Sequence, residues 1–379
     1  MRTLNADLLT AQTNGYPSSH VKQEYLHLIF THKTGAPTYD YSFVPVTATN
    51  KLLNLRHQEG LFDESTTLWL QDNELSVPNL VGYSLDIGYG LNTSSGVQYS
   101  EVGRQWVKFQ HKVERSRITS TPGIFSVLEL IGSWSVMDEH LCCIGSAPYY
   151  QDDYGMLKGK TIYGCLEYII ETVLSAATDL TWYLDALTVD DGIINTLIPW
   201  PSDSEDVFIN PNAENGNYDT IRDICEFLTG MTNCIMIPQA DLHFKIVYPQ
   251  KTDAVDKTYY NSLAAGHAFY ENIETRSPAV PSQMRVMGNM PGGDITNYIM
   301  GVAYDDQSYD ESFNYIGSYM DTYDIKHAAT LTSQADIEAH AKALLTRIRS
   351  YTFSGRTVVP MDCSIELMDK IAVVSTRGS

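Results

Sequence analysis

The stretch from Ser333 to Val374 constrains the fold of this 379-residue chain more than any other. Ile337, Ala341, Leu344, Leu345 and Ile348 fall at i, i+4, i+7, i+8 and i+11. That single apolar stripe at helical period predicts an amphipathic helix over 333–350. Ser333 is placed to cap its N-terminus, with Asp336 at the third helical position, and Arg347 and Arg349 sit where the helix dipole favours cations. Gly355 then predicts a reversal, and Arg356–Met361 and Ser364–Val374 alternate or run apolar like paired strands. Pro360 has no N–H to give a ladder, so it belongs on an edge or at a strand end.

Upstream, the period changes. Residues 21–148 read as all-β: Val21–Phe30 is strand-like, and Tyr83, Leu85, Ile87 and Tyr89 alternate with Ser84, Asp86 and Gly88. Val107, Phe109 and Val113 alternate with polar residues in the same way, and Ile124–Trp134 predicts a further strand or pair. Gly159–Ala177 carries a helical stripe of Leu166, Ile169, Ile170, Val173 and Leu174. Asp219 is placed to cap a second helix with Ile221, Ile224, Cys225 and Leu228 on one face, ended by Gly230. A polar connection, 199–217, separates the two helices, and Cys234–Ile237 with Leu242–Tyr248 predicts a hairpin. Gln283–Gly288 and Tyr298–Tyr304 read as strands, and 305–323 as an exposed Tyr/Asp/Ser-rich loop.

The closing helix leading into GRTVVPMDCSIELMDKIAVV resembles the last unit of phage tail-hub proteins, the baseplate or tail-tip rings that join the tail tube to the host-recognition apparatus. MRTLNADLLTAQ before Val21–Phe30 looks like the opening of such proteins, and the order LWLQDN, VGYSLDIGYG, WVKFQHKVERSRI is similar to their first tube-like barrel. The helix, loop, helix, hairpin run resembles the domain inserted between their two barrels. This resemblance implies an α+β, mainly β fold: two tail-tube-like antiparallel β-barrels with an intermediate helix-containing domain. Its boundaries would be a leader at 1–20, a first barrel at 21–148, an α/β intermediate domain at 149–265 and a second barrel at 266–379. It further implies a homotrimer whose six barrels match a hexameric tube. The partners would be the tail tube or a distal tail ring, the tape-measure protein, tip, spike or receptor-binding proteins, and genome DNA passing without specific binding. The place would be the virion tail, assembled in the host cytoplasm, and the role structural rather than enzymatic.

Charge bears on the partners. With 46 acidic against 25 basic residues the net charge is −21, which argues against a phosphate-tracking surface. The ordinary consequence is solubility; in a ring that conducts DNA, acidic walls would also let the duplex slide. No run has the apolar length of a membrane-spanning helix, and Asp7 interrupts the one stretch resembling an export leader. The six cysteines, at 142, 143, 165, 225, 234 and 363, lack chelating spacing and read as buried thiols. The ten histidines are dispersed without ligand spacing, so no metal or cofactor is expected. Phosphate-loop, dinucleotide, zincin and hydrolase-elbow motifs are absent.

One constellation mixes acidic and aromatic side chains. Asp152–Asp153–Tyr154, Asp190–Asp191, Asp305–Asp306 and Asp321–Asp324 lie beside Tyr149, Tyr150, Tyr304, Tyr309, Tyr315 and Tyr319. Tyrosine gives a large contact area at small entropic cost, which makes Tyr304, Asp305, Asp306, Tyr309, Tyr315 and Tyr319 the candidate interface. The alternative is a carbohydrate-binding or glycan-hydrolysing host-adsorption protein, since paired carboxylates cleave glycosides and aromatic faces stack on sugars.

Overall fold

The alternating residues of the first third become the inner face of one antiparallel sheet. The protein is seen in a computed structural model, which describes residues 2–13, 24–45, 47, 50–115, 123–142, 159–197, 220–250, 252–261, 268–276, 283–288, 299–304, 323–328 and 333–375. Helix α1 (Ala6–Thr13) precedes β1 (Glu24–Thr31), β2 (Thr38–Asp40), β3 (Leu52–Glu59), β4 (Glu64–Gln71), β5 (Ser84–Thr93), β6 (Gly96–Glu101), β7 (Gln105–Arg115) and β8 (Gly123–Ile131). The sheet order is β2-β1-β5-β7-β8-β4-β3, with β6 also on β5. Leu28, Phe30, Leu68, Leu70, Leu85, Ile87, Val107, Leu128 and Leu130, from five different strands, meet in one core. Each such leucine or isoleucine contributes about 1.5–3 kcal/mol by leaving water.

The hydrogen-bonded path runs from β2 to β3, which do not pair with each other among the described residues. Two local expectations change here. A bulge between Val107 and Phe109 breaks the period of two, which turns Phe109 out to solvent. β8 stops at Ile131 because Gly132 and Ser133 open a short helix, α2 (Ser133–Asp138), which carries Trp134 into the interior.

Helix α3 (Ile162–Tyr168) starts at Thr161, whose hydroxyl accepts the Gly164 N–H at 3.1 Å. It runs through a π-helical turn (Ile169–Leu174) into α4 (Ser175–Thr178), which Asp179 ends in a left-handed conformation. Strand β9 (Tyr183–Leu184) and helix α5 (Ile221–Gly230) follow. Thr220, not Asp219, caps α5: its hydroxyl accepts the Asp223 N–H at 3.1 Å while the Asp223 carboxylate accepts the Thr220 N–H at 3.0 Å. Asp219 lies outside the described residues. Gly230 is the last helical residue, and the helix closes on right-handed Met231 rather than in a left-handed turn. The expected hairpin is present as β10 (Ile235–Pro238) and β11 (His243–Val247), antiparallel, with β9 added parallel to β11.

The last third holds β12 (Lys257–Tyr260), β13 (Glu271–Arg276), β14 (Gln283–Gly288), β15 (Ile299–Tyr304), β16 (Tyr323–Ala328), α6 (Gln334–Thr352), β17 (Phe353–Val358) and β18 (Ile371–Val374). Ser333 caps α6 as the sequence implies, its hydroxyl accepting the Asp336 N–H at 3.2 Å. Ile337, Ala341, Leu344 and Leu345 are buried on the predicted face; the side chains of Arg347, Ile348 and Arg349 lie outside the described ones. Gly301 of β15 lets the strand lie under α6, since a Cβ there would sit 2.7 Å from Ile337 and from the Glu338 nitrogen. The two closing strands do not pair with each other: β17 pairs antiparallel with β13, and β18 parallel with β12. Gly355 makes no reversal but sits inside β17, where any Cβ would collide with the Ile273 carbonyl oxygen. Pro360 lies past the end of β17, as its missing N–H requires.

One apolar cluster joins these parts, running from Trp134 and Met137 through α3, α5 and β11 to Met284, Val286, Ala303 and the buried face of α6. The N-terminal segment read as a leader is tied in as well. Leu8 of α1 packs with Leu91 and Cys363, the Arg2 N–H donates to the Ser364 carbonyl at 2.9 Å, and Gln12 accepts the Cys363 N–H at 3.2 Å. Cys142, Cys165, Cys225, Cys234 and Cys363 are buried, as their apolar contexts imply. No helix among the described residues is long and apolar enough to cross a membrane.

Candidate interaction surface

Of the six candidate interface residues, Tyr304 is described. It ends β15 with 64% of its surface exposed, opposite the fully buried Gln283. Asp305, Asp306, Tyr309, Tyr315 and Tyr319 lie outside the described residues, as do Asp152–Asp153–Tyr154 and the connection 199–217. The Asp190–Asp191 pair has a turn role: Asp190 accepts the Gly192 N–H at 2.8 Å, and Asp191 accepts those of Ile193, Ile194 and Asn233.

Further apolar surface gathers on strand edges, where sequence periodicity gives no warning of it. Among the described residues β13–β17 and β12–β18 are two-stranded ribbons, and such ribbons are marginal in water unless something packs on them. They expose Tyr270, Ile273, Ile371 and Val374. On the first sheet, edge strand β3 exposes Leu53 and bulged β7 exposes Phe109. Edge strands carry unsatisfied N–H and C=O groups that another chain can pair with.

A second constellation escaped the sequence reading, which left His57 among the dispersed histidines. Strand β3 puts His57 and Glu59 on one face at period two, and the turn at Gly60–Asp63 folds β4 back so that Glu59 stands directly opposite Glu64. His57 Nε2 lies 3.6 Å from Glu64 Oε1 and 3.8 Å from Glu59 Oε1, and Arg2 donates to Glu59 Oε1 at 2.7 Å. His57 Nδ1 is 3.0 Å from the Tyr89 hydroxyl. Burial pushes the Tyr89 phenol up to about 12, with Glu59 adding to the effect. Glu64 is 2% exposed; burial pushes its carboxyl above the usual carboxylate range, and the neighbouring His57 opposes that shift. The available signal was a His-x-Glu on a strand, a short turn and then a glutamate at an inward position of the alternating strand Glu64–Gln71.

No protein-family model matches the sequence, and no curated protein matches it. Solved structures do match in three dimensions. The tail protein from Neisseria meningitidis MC58 superimposes with a TM-score of 0.56 at 10% identity, covering 93% of this chain and 87% of that one. The 43 kDa tail protein of prophage MuSo2 from Shewanella oneidensis superimposes at 0.50 and 10% identity, covering 92% and 88%. The chain has the mainly β fold of phage tail proteins of this kind.

Proposed function

We propose that this chain is a structural hub of a phage or phage-derived tail, a homotrimeric ring between the tail tube and the tail tip or baseplate. The observation that carries the reading is the shared fold with two tail proteins over about nine-tenths of each chain, so the likeness is to a whole subunit rather than to one module. The open ribbons and the exposed apolar residues on strand edges support it, because a ring gives those edges a second chain to bury against. In this reading residues 21–148 and 266–379 supply the tube-like walls, 149–265 the insertion between them, and Tyr304 with the segment after it a contact surface. The protein acts by geometry: six wall modules from three chains match the hexameric end of the tube, and threefold sites face a tip, spike or receptor-binding protein. The net charge of −21 suits a lumen through which the tape-measure protein and then DNA pass without being held.

Native mass spectrometry and negative-stain imaging of the purified chain test the proposal. A trimer forming a ring with a central opening is expected. A monomer that persists at high protein concentration, and that gains no ring in the presence of its tail-tube protein, refutes it.

A further inference from the structure

We infer that His57, Glu59 and Glu64 form a binding site for a divalent transition-metal cation, zinc being the best fit, at the tip of the β3–β4 hairpin. The three donor atoms lie within 4.8 Å of one another. Ligand atoms around a tetrahedral zinc stand about 3.4 Å apart, given its bond lengths of roughly 2.0–2.2 Å. The separations of 3.6 and 3.8 Å from His57 Nε2 to the two carboxylates therefore need only a small contraction.

Several independent features point to a cation rather than to a bare acidic pair. Glu59 and Glu64 are directly opposed across an antiparallel ladder, where like charges repel. Among the described residues neither Glu64 oxygen nor His57 Nε2 has a partner within hydrogen-bond distance; His57, on a side chain only 6% exposed, and Gln105 are the polar groups that act on the buried carboxylate. Buried polar atoms are ordinarily satisfied, so an imidazole nitrogen and a carboxylate gathered this closely, beyond what Arg2 neutralises at Glu59, ask for a positive occupant. The imidazole is also oriented for the task. Its Nδ1–H can donate to the Tyr89 hydroxyl, leaving Nε2 with the lone pair a metal requires. Arg2 donates to the same Glu59 Oε1 that faces His57, so the ion takes the other oxygen of that carboxylate or displaces the guanidinium.

The backbone makes room for Glu64. A side chain on Gly132 would collide with its carboxylate, and a Cβ on Gly103 would sit 3.0 Å from Glu64 Oε1. A narrow cleft bounded by Arg2, Gly60, Pro238 and Leu367 leads to the two glutamates, which supplies a path for the ion and for a water as fourth ligand. A cation there would staple the hairpin tip to Tyr89 of β5 and to the N-terminal residues, where the first sheet meets the β10 strand.

Zinc binding to the purified full chain, stripped with a chelator and dialysed, measures this directly. One zinc per chain is expected by elemental analysis, and cobalt in its place should give the visible absorption of a tetrahedral ion. Glu59→Gln, at an exposed position that tolerates the change, should weaken zinc by more than the roughly 10–100-fold that loss of an outer-shell partner costs. Tyr89→Phe, a positioning variant, should weaken it by about 10–100-fold. Glu64→Gln should abolish binding; should that variant not fold, Glu59→Gln decides the matter. Absence of zinc from the wild type, or equal affinity in wild type and Glu59→Gln, overturns the inference.

Discussion

Lowering the pH should destabilise this protein through one buried imidazole, His340. The side chain lies on the core face of α6 beside Ile337 and Ala341, 2% exposed, and neither ring nitrogen has a hydrogen-bond partner among the described residues. Burial drives its pKa down from 6.5 to about 4, with the Asp191 carboxylate pulling weakly the other way. The sign follows from linkage. An unfolded chain takes up the proton near its ordinary pKa while the folded chain resists until about 4, so stability is present above the ordinary value and is lost as pH falls between the two. A shift of this size corresponds to roughly 3 kcal/mol over the whole window. The comparison variant is His340→Leu, which keeps most of the volume and removes both orphan nitrogens. Urea midpoints for the two proteins, taken from about pH 7 to about pH 4.5, give the difference, and carboxylates common to both cancel from it. The variant should be about 1–3 kcal/mol more stable at neutral pH, because a buried donor without a partner is gone, and its advantage should widen on acidification. Parallel pH curves would refute the reasoning, because they would mean that the imidazole is solvated or paired in solution.

Three further outcomes are expected. Gly301→Ala drives a methyl into the backbone of α6 at Ile337 and Glu338, and should cost about 1–3 kcal/mol in chemical denaturation. Lys257→Met leaves the buried Asp362 carboxylate without the ammonium 3.3 Å away, and should cost roughly 3–5 kcal/mol. Burial pushes the Asp362 carboxyl up, but the Ser364 hydroxyl and amide, with Lys257, outweigh it and hold the group below its usual range. Its contribution is therefore lost only as pH falls through that depressed value, and in Lys257→Met the acid transition should begin at higher pH. Thr220→Ala removes one half of the capping box of α5 and should cost about 1 kcal/mol, seen as a lower thermal midpoint.

Local periodicity determined a good deal of this molecule. The stripes of α6, α3 and α5 bury the residues their spacing implies wherever the side chains are described, the strands expected around Leu85, Gln283 and Ile299 are present, and so is the hairpin Ile235–Val247. These are short-range properties: a helix face or a strand face is fixed by which neighbours at i+2, i+3 or i+4 are apolar. What failed was also local in origin but tertiary in cause. Phe109 faces out because a bulge pairs two residues of β7 against one of β8, a matter of the partner strand rather than of β7 itself. Gly355 reads as a turn in isolation, yet it is needed because the Ile273 carbonyl passes too close for a side chain.

The sequence by itself determined many of the segments that are strands and helices, which faces of those seek the interior, and the acidic balance of the chain. Only the tertiary structure decided which strands pair, so that β17 and β18, neighbours in sequence, take their partners from β13 and β12. It also decided that His57 and Glu59 meet Glu64 across a turn, and that Leu8 of the N-terminal helix packs against Cys363 near the other end of the chain. The physical reason is the same in each case. Hydrophobic burial is non-directional and names no partner, whereas pairing, register and the convergence of polar side chains depend on loop closure and on surfaces distant in sequence.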